Sequence, residues 1–129
     1  MEVLVDLPLA FAQAREANSV PPEDHQRHRV NHGLMRTADG QWTFRYDRAL
    51  RSGVPRDGIP PQEAWQLVAN INVPTLVLRG ENSDILASDV ARRMVDEISE
   101  CQFTEVAGSG HPIPLDKPDA FLSAVQAFL

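Results

Sequence analysis

The sequence predicts an α/β fold in which a mostly helical region, residues 1–71, precedes a C-terminal βαβα unit, residues 72–129, with parallel strands. Two observations carry this prediction. From Val73 to Gly80 the chain is almost continuously apolar, which is typical of a strand buried on both faces of a parallel sheet. After it, strand-type and helix-type patterns alternate to the C-terminus, and this alternation favours right-handed parallel crossovers.

The composition is that of an ordinary globular domain, and it excludes several classes of partner. The 129 residues are enough for one hydrophobic core. The formal net charge of −6 argues against a nucleic-acid-binding surface, since a phosphate backbone calls for basic residues. No apolar run approaches the ~20 residues of a membrane helix. The N-terminus lacks the basic segment of a secretory signal, and the single cysteine, Cys101, excludes an internal disulfide. We therefore expect a cytoplasmic protein.

The first half of the N-terminal region contains two helix-type segments. A short apolar run at residues 3–5 predicts the end of a strand, and Pro8 then suits the first turn of a helix that ends near Asn18. Residues 23–36 are polar and basic, so they predict a surface helix, with Ser19 as a candidate cap.

The second half of this region is richer in aromatic, proline and glycine residues. Residues 41–46 alternate and carry aromatic side chains at every second position, which predicts a short strand or an extended segment under a helix. Residues 47–61 predict a long irregular connection, and such connections often form the rim of a functional site. Residues 62–71 have helical apolar spacing.

The C-terminal region continues the strand–helix alternation after the first apolar strand. Ser88 is a candidate cap for an amphipathic helix that ends near Ile98. Residues 102–107 predict the second strand, and Pro118 suits the first turn of the last helix.

An acid and a histidine follow the two predicted strands. Asp84 lies just beyond the first strand and His111 just beyond the second. The loops after parallel strands share the sheet edge where ligands bind, so we expect the two residues to lie close together. A carboxylate bonded to one imidazole nitrogen fixes the tautomer, and the other nitrogen can then act as a base. Glycines at 108 and 110 are expected to let the backbone turn sharply before the histidine.

Both loops resemble segments of the α/β-hydrolase family. Residues 79–86, Arg-Gly-Glu-Asn-Ser-Asp-Ile-Leu, resemble the acid-bearing segment of that family. Residues 108–111, Gly-Ser-Gly-His, followed by Asp-Lys-Pro at 116–118, resemble its histidine loop and closing helix. Residues 8–70 are similar to the helical cap of bacterial members. The resemblance therefore implies a partial α/β-hydrolase fold, a helical cap region followed by the terminal βαβα unit.

The resemblance also implies roles for particular residues. Asp84 would be the acid of a catalytic triad and His111 its base, in the hydrolysis of an ester, amide, lactone or related bond. A variant of the family chemistry would use an aspartate nucleophile on epoxides or haloalkanes. The cap aromatics Trp42, Tyr46 and Trp65 are candidate contacts for a small-molecule substrate. No cofactor or metal is expected.

The sequence departs from the family pattern at the nucleophile. Members place a Gly-x-Ser-x-Gly elbow and an oxyanion loop before the acid, and this sequence contains neither. We expect the chain to correspond to the C-terminal part of such an enzyme and to be inactive alone. The alternative is a non-catalytic interaction module or relic that self-associates, or pairs with a partner chain, through the exposed edge of the strand at 73–80.

Other residues offer weaker functional interpretations. Ser83, Ser109 or Cys101 could be imagined as substitute nucleophiles. His25 and the histidines three and seven positions after it, His28 and His32, could share one helix face and ligate zinc, although the arginines among them favour a solvated face.

Overall fold

The computed structural model describes residues 4–51, 53 and 57–129. The chain divides into two compact units, one ending at Arg56 and the other beginning at Asp57. The predicted division at residues 71 and 72, between a cap-like region and a hydrolase core, stays a prediction. The start of the apolar run at residues 3–5 and part of the predicted connection at 47–61 lie outside the described residues.

The first unit combines two helices with a small antiparallel sheet. Its elements are β1 (Leu4–Val5), α1 (Leu7–Ala17), α2 (Glu23–Gly33), β2 (Leu34–Arg36), β3 (Trp42–Phe44) and a 3-10 turn at Arg48–Arg51. The strand order is β1-β3-β2. The predicted first helix, with Pro8 in its first turn, and the predicted strand at 41–46 are confirmed.

Gln26 connects the two helices of this unit through its buried amide. Its Nε2 donates to the carbonyls of Ala14 and Asn18 at the end of α1, both at 3.0 Å. Its Oε1 accepts from Nη1 of Arg15 at 2.9 Å. The Ala14 carbonyl also accepts from the Asn18 amide at 2.9 Å, so the Gln26 bonds add to the pairing at the end of α1. They explain how α2, which offers few apolar side chains, is held in place.

Two predictions for the first unit are wrong. The helix predicted over residues 23–36 ends at Gly33, and Leu34 begins β2 with 1% of its surface exposed. Burying a leucine side chain is worth about 1.5–3 kcal/mol, so the chain leaves the polar helix at that residue. Ser19 is not the cap of α2, because Pro22 occupies the capping position and makes no side-chain capping bond.

The second unit contains the predicted βαβα arrangement. Its elements are α3 (Pro61–Ala69), β4 (Thr75–Gly80), α4 (Ser88–Glu97), β5 (Cys101–Val106), α5 (Ile113–Asp116) and α6 (Pro118–Phe128). The short helix α5 was not predicted. Strands β4 and β5 pair in parallel from Thr75 opposite Cys101 to Gly80 opposite Val106. Both strands therefore end at the same level, and the loops that follow them leave from one edge.

The core of this unit lies between the sheet and α4. Val77, Ala91 and Ile98 are buried there, and Ile113 is buried at the start of α5. The prediction that Ser88 caps α4 is wrong, because Ser88 is the first helical residue and Ala87 precedes it without a side-chain capping bond. Among the helices of the described ranges, none has the length and apolar character needed to cross a membrane.

Candidate acid–histidine site

Two loops meet at the edge where β4 and β5 end. We name residues 81–87 the acid loop and residues 107–112 the histidine loop. The amide of Glu81 donates to the carbonyl of Val106 at 3.0 Å, which extends the strand pairing by one bond. The amide of Asn82 then donates to the carbonyl of Ser109 at 2.9 Å. The backbone itself therefore joins the loop that carries Asp84 to the loop that carries His111.

Arg79 holds the acid loop at both of its ends. Its guanidinium lies at the end of β4 with only 10% of the side chain exposed. Nε donates to the carbonyl of Leu86 at 2.7 Å, and Nη1 donates to the carbonyl of Glu81 at 3.2 Å. Nη1 also pairs with the Glu105 carboxylate at 2.9 Å. A planar guanidinium can serve several acceptors at fixed angles, so it suits this bridging position.

Ser83 shapes the middle of the acid loop. Its Oγ accepts from the amides of Ile85 and Leu86 at 3.3 and 3.1 Å, and its own amide donates to the carbonyl of Gly80 at 3.0 Å. These are the bonds of a serine-stabilised turn. The hydroxyl therefore has a structural task that explains its presence beside Asp84.

The geometry gives no support to the other two substitute nucleophiles. Ser109 is fully buried and its hydroxyl donates to the carbonyl of Gly110 at 3.0 Å. Cys101 begins β5, whereas the acid loop and the histidine loop lie at the opposite end of the paired strands β4 and β5.

Carboxylates of two different segments bind the amides of the histidine loop. Gly108 has a φ of +70°, which confirms the predicted sharp turn, and its amide donates to Oε2 of Glu81 at 2.7 Å. The amide of Gly110 donates to Oδ2 of Asp116 at 2.8 Å. Gly110 does not have a positive φ, so the reason for glycine here differs from the one predicted. A Cβ at this position would lie 3.1 Å from the Asp116 carboxylate.

Gly80 lies directly beneath the histidine loop. A Cβ at Gly80 would lie 2.6 Å from the carbonyl oxygen of Ser109 and closer still to that of Gly110. Both obstacles are backbone atoms, which cannot rotate away as a side chain can. Only glycine allows the two loops to approach this closely.

The side chains of Asp84 and His111 are both exposed. In the part of the chain that the structure describes, no hydrogen bond or salt bridge joins them. Their loops are held together by the bonds given above, while the two side chains extend into solvent. The arrangement brings an acid and an imidazole to one edge and leaves each able to change its side-chain rotamer.

The three aromatic residues predicted to contact substrate each have a neighbouring side chain. The Arg36 guanidinium lies 5.1 Å from the centre of the Trp42 ring, and Tyr46 stacks on Phe44 with ring centres 5.2 Å apart. Trp65 lies on α3 of the second unit, beneath the guanidinium of Arg93 at 3.9 Å. Their contact with a substrate stays a prediction.

The histidines of α2 do not form a metal centre in this structure. His28 and His32 meet edge to face with ring centres 4.1 Å apart, and Nδ1 of His25 is buried without a hydrogen-bond partner. Over the described ranges, no three histidine, cysteine or acidic side chains come close enough to share an ion.

Known proteins similar to this chain are hydrolases. It is 26% identical to the esterase YbfF of Escherichia coli over 96 residues, which cover 74% of the chain and 35% of the relative. It is 25% identical to the esterase Rv0045c of Mycobacterium tuberculosis over 129 residues, which cover 99% of the chain and 39% of the relative. No family model matches the sequence.

Solved structures agree with these relatives. A crystal structure of Rv0045c superposes with a TM-score of 0.78 at 21% identity, covering 95% of this chain and 40% of that one. An alpha/beta hydrolase from Novosphingobium aromaticivorans superposes with a TM-score of 0.74 at 23% identity, covering 95% and 45%. The chain has a partial α/β-hydrolase fold. It spans about two fifths of the length of the α/β-hydrolases it matches.

Within this partial α/β-hydrolase fold, four residues shape the candidate site in ways that the sequence does not reveal. The sequence places Arg79, Gly80 and Glu81 in the acid-bearing segment and Asp116 before the closing helix, without indicating what they contact. Arg79 and Glu81 bind residues 26 and 27 positions away. Asp116 binds an amide only six positions away, but its burial depends on the tertiary fold.

Proposed function

We propose that this chain supplies the acid–histidine pair of a hydrolase that cleaves an ester or a related acyl bond. The single observation that supports the proposal most is the backbone bonding between the acid loop and the histidine loop at the end of two parallel strands. The similarity to two esterases adds the reaction class. Asp84 orients His111, and His111 is the general base.

The chemistry follows from the properties of the two side chains. A carboxylate that accepts a hydrogen bond from the Nδ1–H group of His111 leaves Nε2 free to remove a proton from a hydroxyl nucleophile. It also stabilises the imidazolium that forms, and the imidazolium then protonates the leaving group. Both side chains are exposed, so packing does not lock either rotamer, and we expect the bond to form when the two side chains rotate toward each other.

The nucleophile and the oxyanion-binding amides would come from a segment with a Gly-x-Ser-x-Gly elbow, which these 129 residues do not contain. The substrate is then a small molecule, with Trp42, Tyr46 and Trp65 as candidate contacts. The cytoplasm is the proposed location, and no cofactor takes part in the proposed chemistry.

A chimera tests the proposal directly. This chain replaces the corresponding C-terminal portion of the esterase Rv0045c, to which it aligns over 99% of its length. We expect the chimera to hydrolyse p-nitrophenyl esters and a His111→Ala variant to lose about 10²–10⁴-fold in rate, the range that general acid–base catalysis contributes. His32→Ala, an exposed histidine of the first unit, is the matched control. A folded chimera whose rate is insensitive to His111 would refute the proposal.

The chain alone provides a second, simpler assay. Without the elbow it should hydrolyse p-nitrophenyl esters no faster than its own His111→Ala variant. A rate that depends on His111, with a burst of product, would show that the chain carries a nucleophile of its own.

A second candidate function rests on the sheet edge. In the described residues β4 pairs with β5 and with no other strand, so the other edge of Thr75–Gly80 has no strand partner. Such an edge can pair with another chain, which would make the protein an interaction module. The amides of Thr75 and Glu81 face β5, so by alternation the amide of Leu76 faces the free edge. Light scattering should then report self-association that a proline at Leu76 abolishes and a proline in the exposed segment before α3, at Ile59, does not. A stable monomer at high concentration would count against this candidate.

A further inference from the structure

Asp116 is an acidic residue with only 2% of its surface exposed. Burying a carboxylate is costly unless hydrogen bonds compensate it, so a buried aspartate in an otherwise ordinary helix–loop junction needs an explanation. Its Oδ2 accepts the amide proton of Gly110 at 2.8 Å. Gly110 is the residue immediately before His111. The bond closes the segment that contains His111 and α5 into a ring.

The backbone on the other side of Gly110 is fixed as well. Gly80 touches the carbonyls of Ser109 and Gly110, and the amide of Asn82 donates to the carbonyl of Ser109 at 2.9 Å. The peptide units before His111 therefore have contacts with two separate segments. Gly80 and the Asn82 amide contact their carbonyls, and the Asp116 carboxylate binds the Gly110 amide.

We propose that Asp116 is a positioning residue for His111: its carboxylate fixes the Gly110 peptide and so sets the direction in which the imidazole leaves the backbone. This role matters for catalysis only if His111 is the base, so it rests on the proposed function. Charge-assisted hydrogen bonds of this kind are about twice as strong as neutral ones, which favours a carboxylate over an amide at this position.

The test is amide hydrogen exchange of the full chain, followed by NMR. In Asp116→Asn, which keeps an oxygen acceptor but loses the charge, we expect the Gly110 amide to exchange about three- to tenfold faster. In Asp116→Ala, which has no acceptor at this position, we expect the Gly110 amide to exchange about ten- to a hundredfold faster. The ring ¹⁵N resonances of His111 should shift in both variants, because the imidazole samples other directions. The amide of Val77, in the core of the same unit, should keep its rate.

Two control variants separate positioning from general destabilisation. Glu81→Gln weakens a similar bond to Gly108, and its effect should stay at Gly108 without shifting the His111 ring signals. Asp119→Asn alters an exposed acid of α6 and should change nothing. An unchanged Gly110 amide in Asp116→Asn would overturn the proposal, and so would an equal acceleration at Val77. If Asp116→Ala fails to fold, the Asn variant decides.

These spectra report where the imidazole is held, whereas the ester assay on the chimera reports whether it acts as a base. A His111 that proves non-catalytic would refute the proposed function and leave the NMR result intact. Unchanged spectra in the Asp116 variants would refute the positioning role and leave the assay result intact.

Discussion

Gly80→Ala adds one methyl group at the point where the two loops touch. The new Cβ would lie 2.6 Å from the carbonyl oxygen of Ser109, and side-chain carbons essentially never approach another heavy atom closer than 3.0 Å. The obstacles are backbone, so the histidine loop has to move away from β4. That movement also stretches the 2.9 Å bond from the Asn82 amide to the Ser109 carbonyl.

The magnitude follows from three contributions. Overpacking costs about 1–3 kcal/mol, and a lost hydrogen bond costs about 0.5–1.5 kcal/mol. Alanine also reduces the backbone entropy of the unfolded chain, which stabilises the folded state by about 0.4–1 kcal/mol. We therefore expect Gly80→Ala to lower the free energy of unfolding of the second unit by roughly 0.5–4 kcal/mol. Gly58→Ala is the matched control, because nothing lies within 4 Å of its Cβ position.

Urea unfolding followed by tryptophan fluorescence measures this difference. The chain has two tryptophans, and Trp65 is the one in the second unit. A Trp42→Phe background therefore makes the signal specific to that unit. If Gly80→Ala were as stable as Gly58→Ala in this background, the inferred contact between β4 and the histidine loop would be wrong.

Substitutions at two further residues test other polar contacts. Arg79→Met should lower the stability of the second unit by about 2–4 kcal/mol, because three acceptors lose a largely buried guanidinium. Arg79→Lys should recover only part of this loss, since an ammonium lacks the planar fork. An Arg79→Met variant as stable in urea as the unsubstituted chain would contradict this expectation. Gln26→Leu should destabilise the first unit by about 1–3 kcal/mol, because the three hydrogen bonds of the buried Gln26 amide are lost. Urea unfolding followed by the fluorescence of Trp42, in a Trp65→Phe background, measures this loss of stability. Gln41→Leu, at an exposed position of the same unit, is the control.

The parallel βαβα unit could be predicted because its signals are local. The apolar run of β4 and the amphipathic pattern of α4 each lie within one short stretch of sequence. Leu34 illustrates the opposite case. It stands with Met35 directly after a polar helix, and only its pairing with Phe44 reveals a strand. The cap predictions for Ser19 and Ser88 failed because a suitable residue type does not specify the capping geometry.

The candidate site shows a similar division. Asp84 and His111 could be singled out because each follows a predicted strand. The bonds that hold their loops connect Glu81 with Gly108 and Asn82 with Ser109. Such contacts depend on how two loops meet in space, and no periodic pattern of residues in the sequence indicates them. Asp116 was visible only as a residue near the start of a helix, since its burial depends on the tertiary fold.

A double-mutant cycle in the chimera tests most directly whether Asp84 and His111 act as one unit. The rates of p-nitrophenyl ester hydrolysis are compared for Asp84→Asn, His111→Gln and the double variant. If the carboxylate works only through the imidazole, the double variant should be no slower than His111→Gln alone, because residues of one catalytic unit are strongly non-additive. Losses that multiply, so that Asp84→Asn slows the reaction equally with and without His111, would contradict the proposed pair.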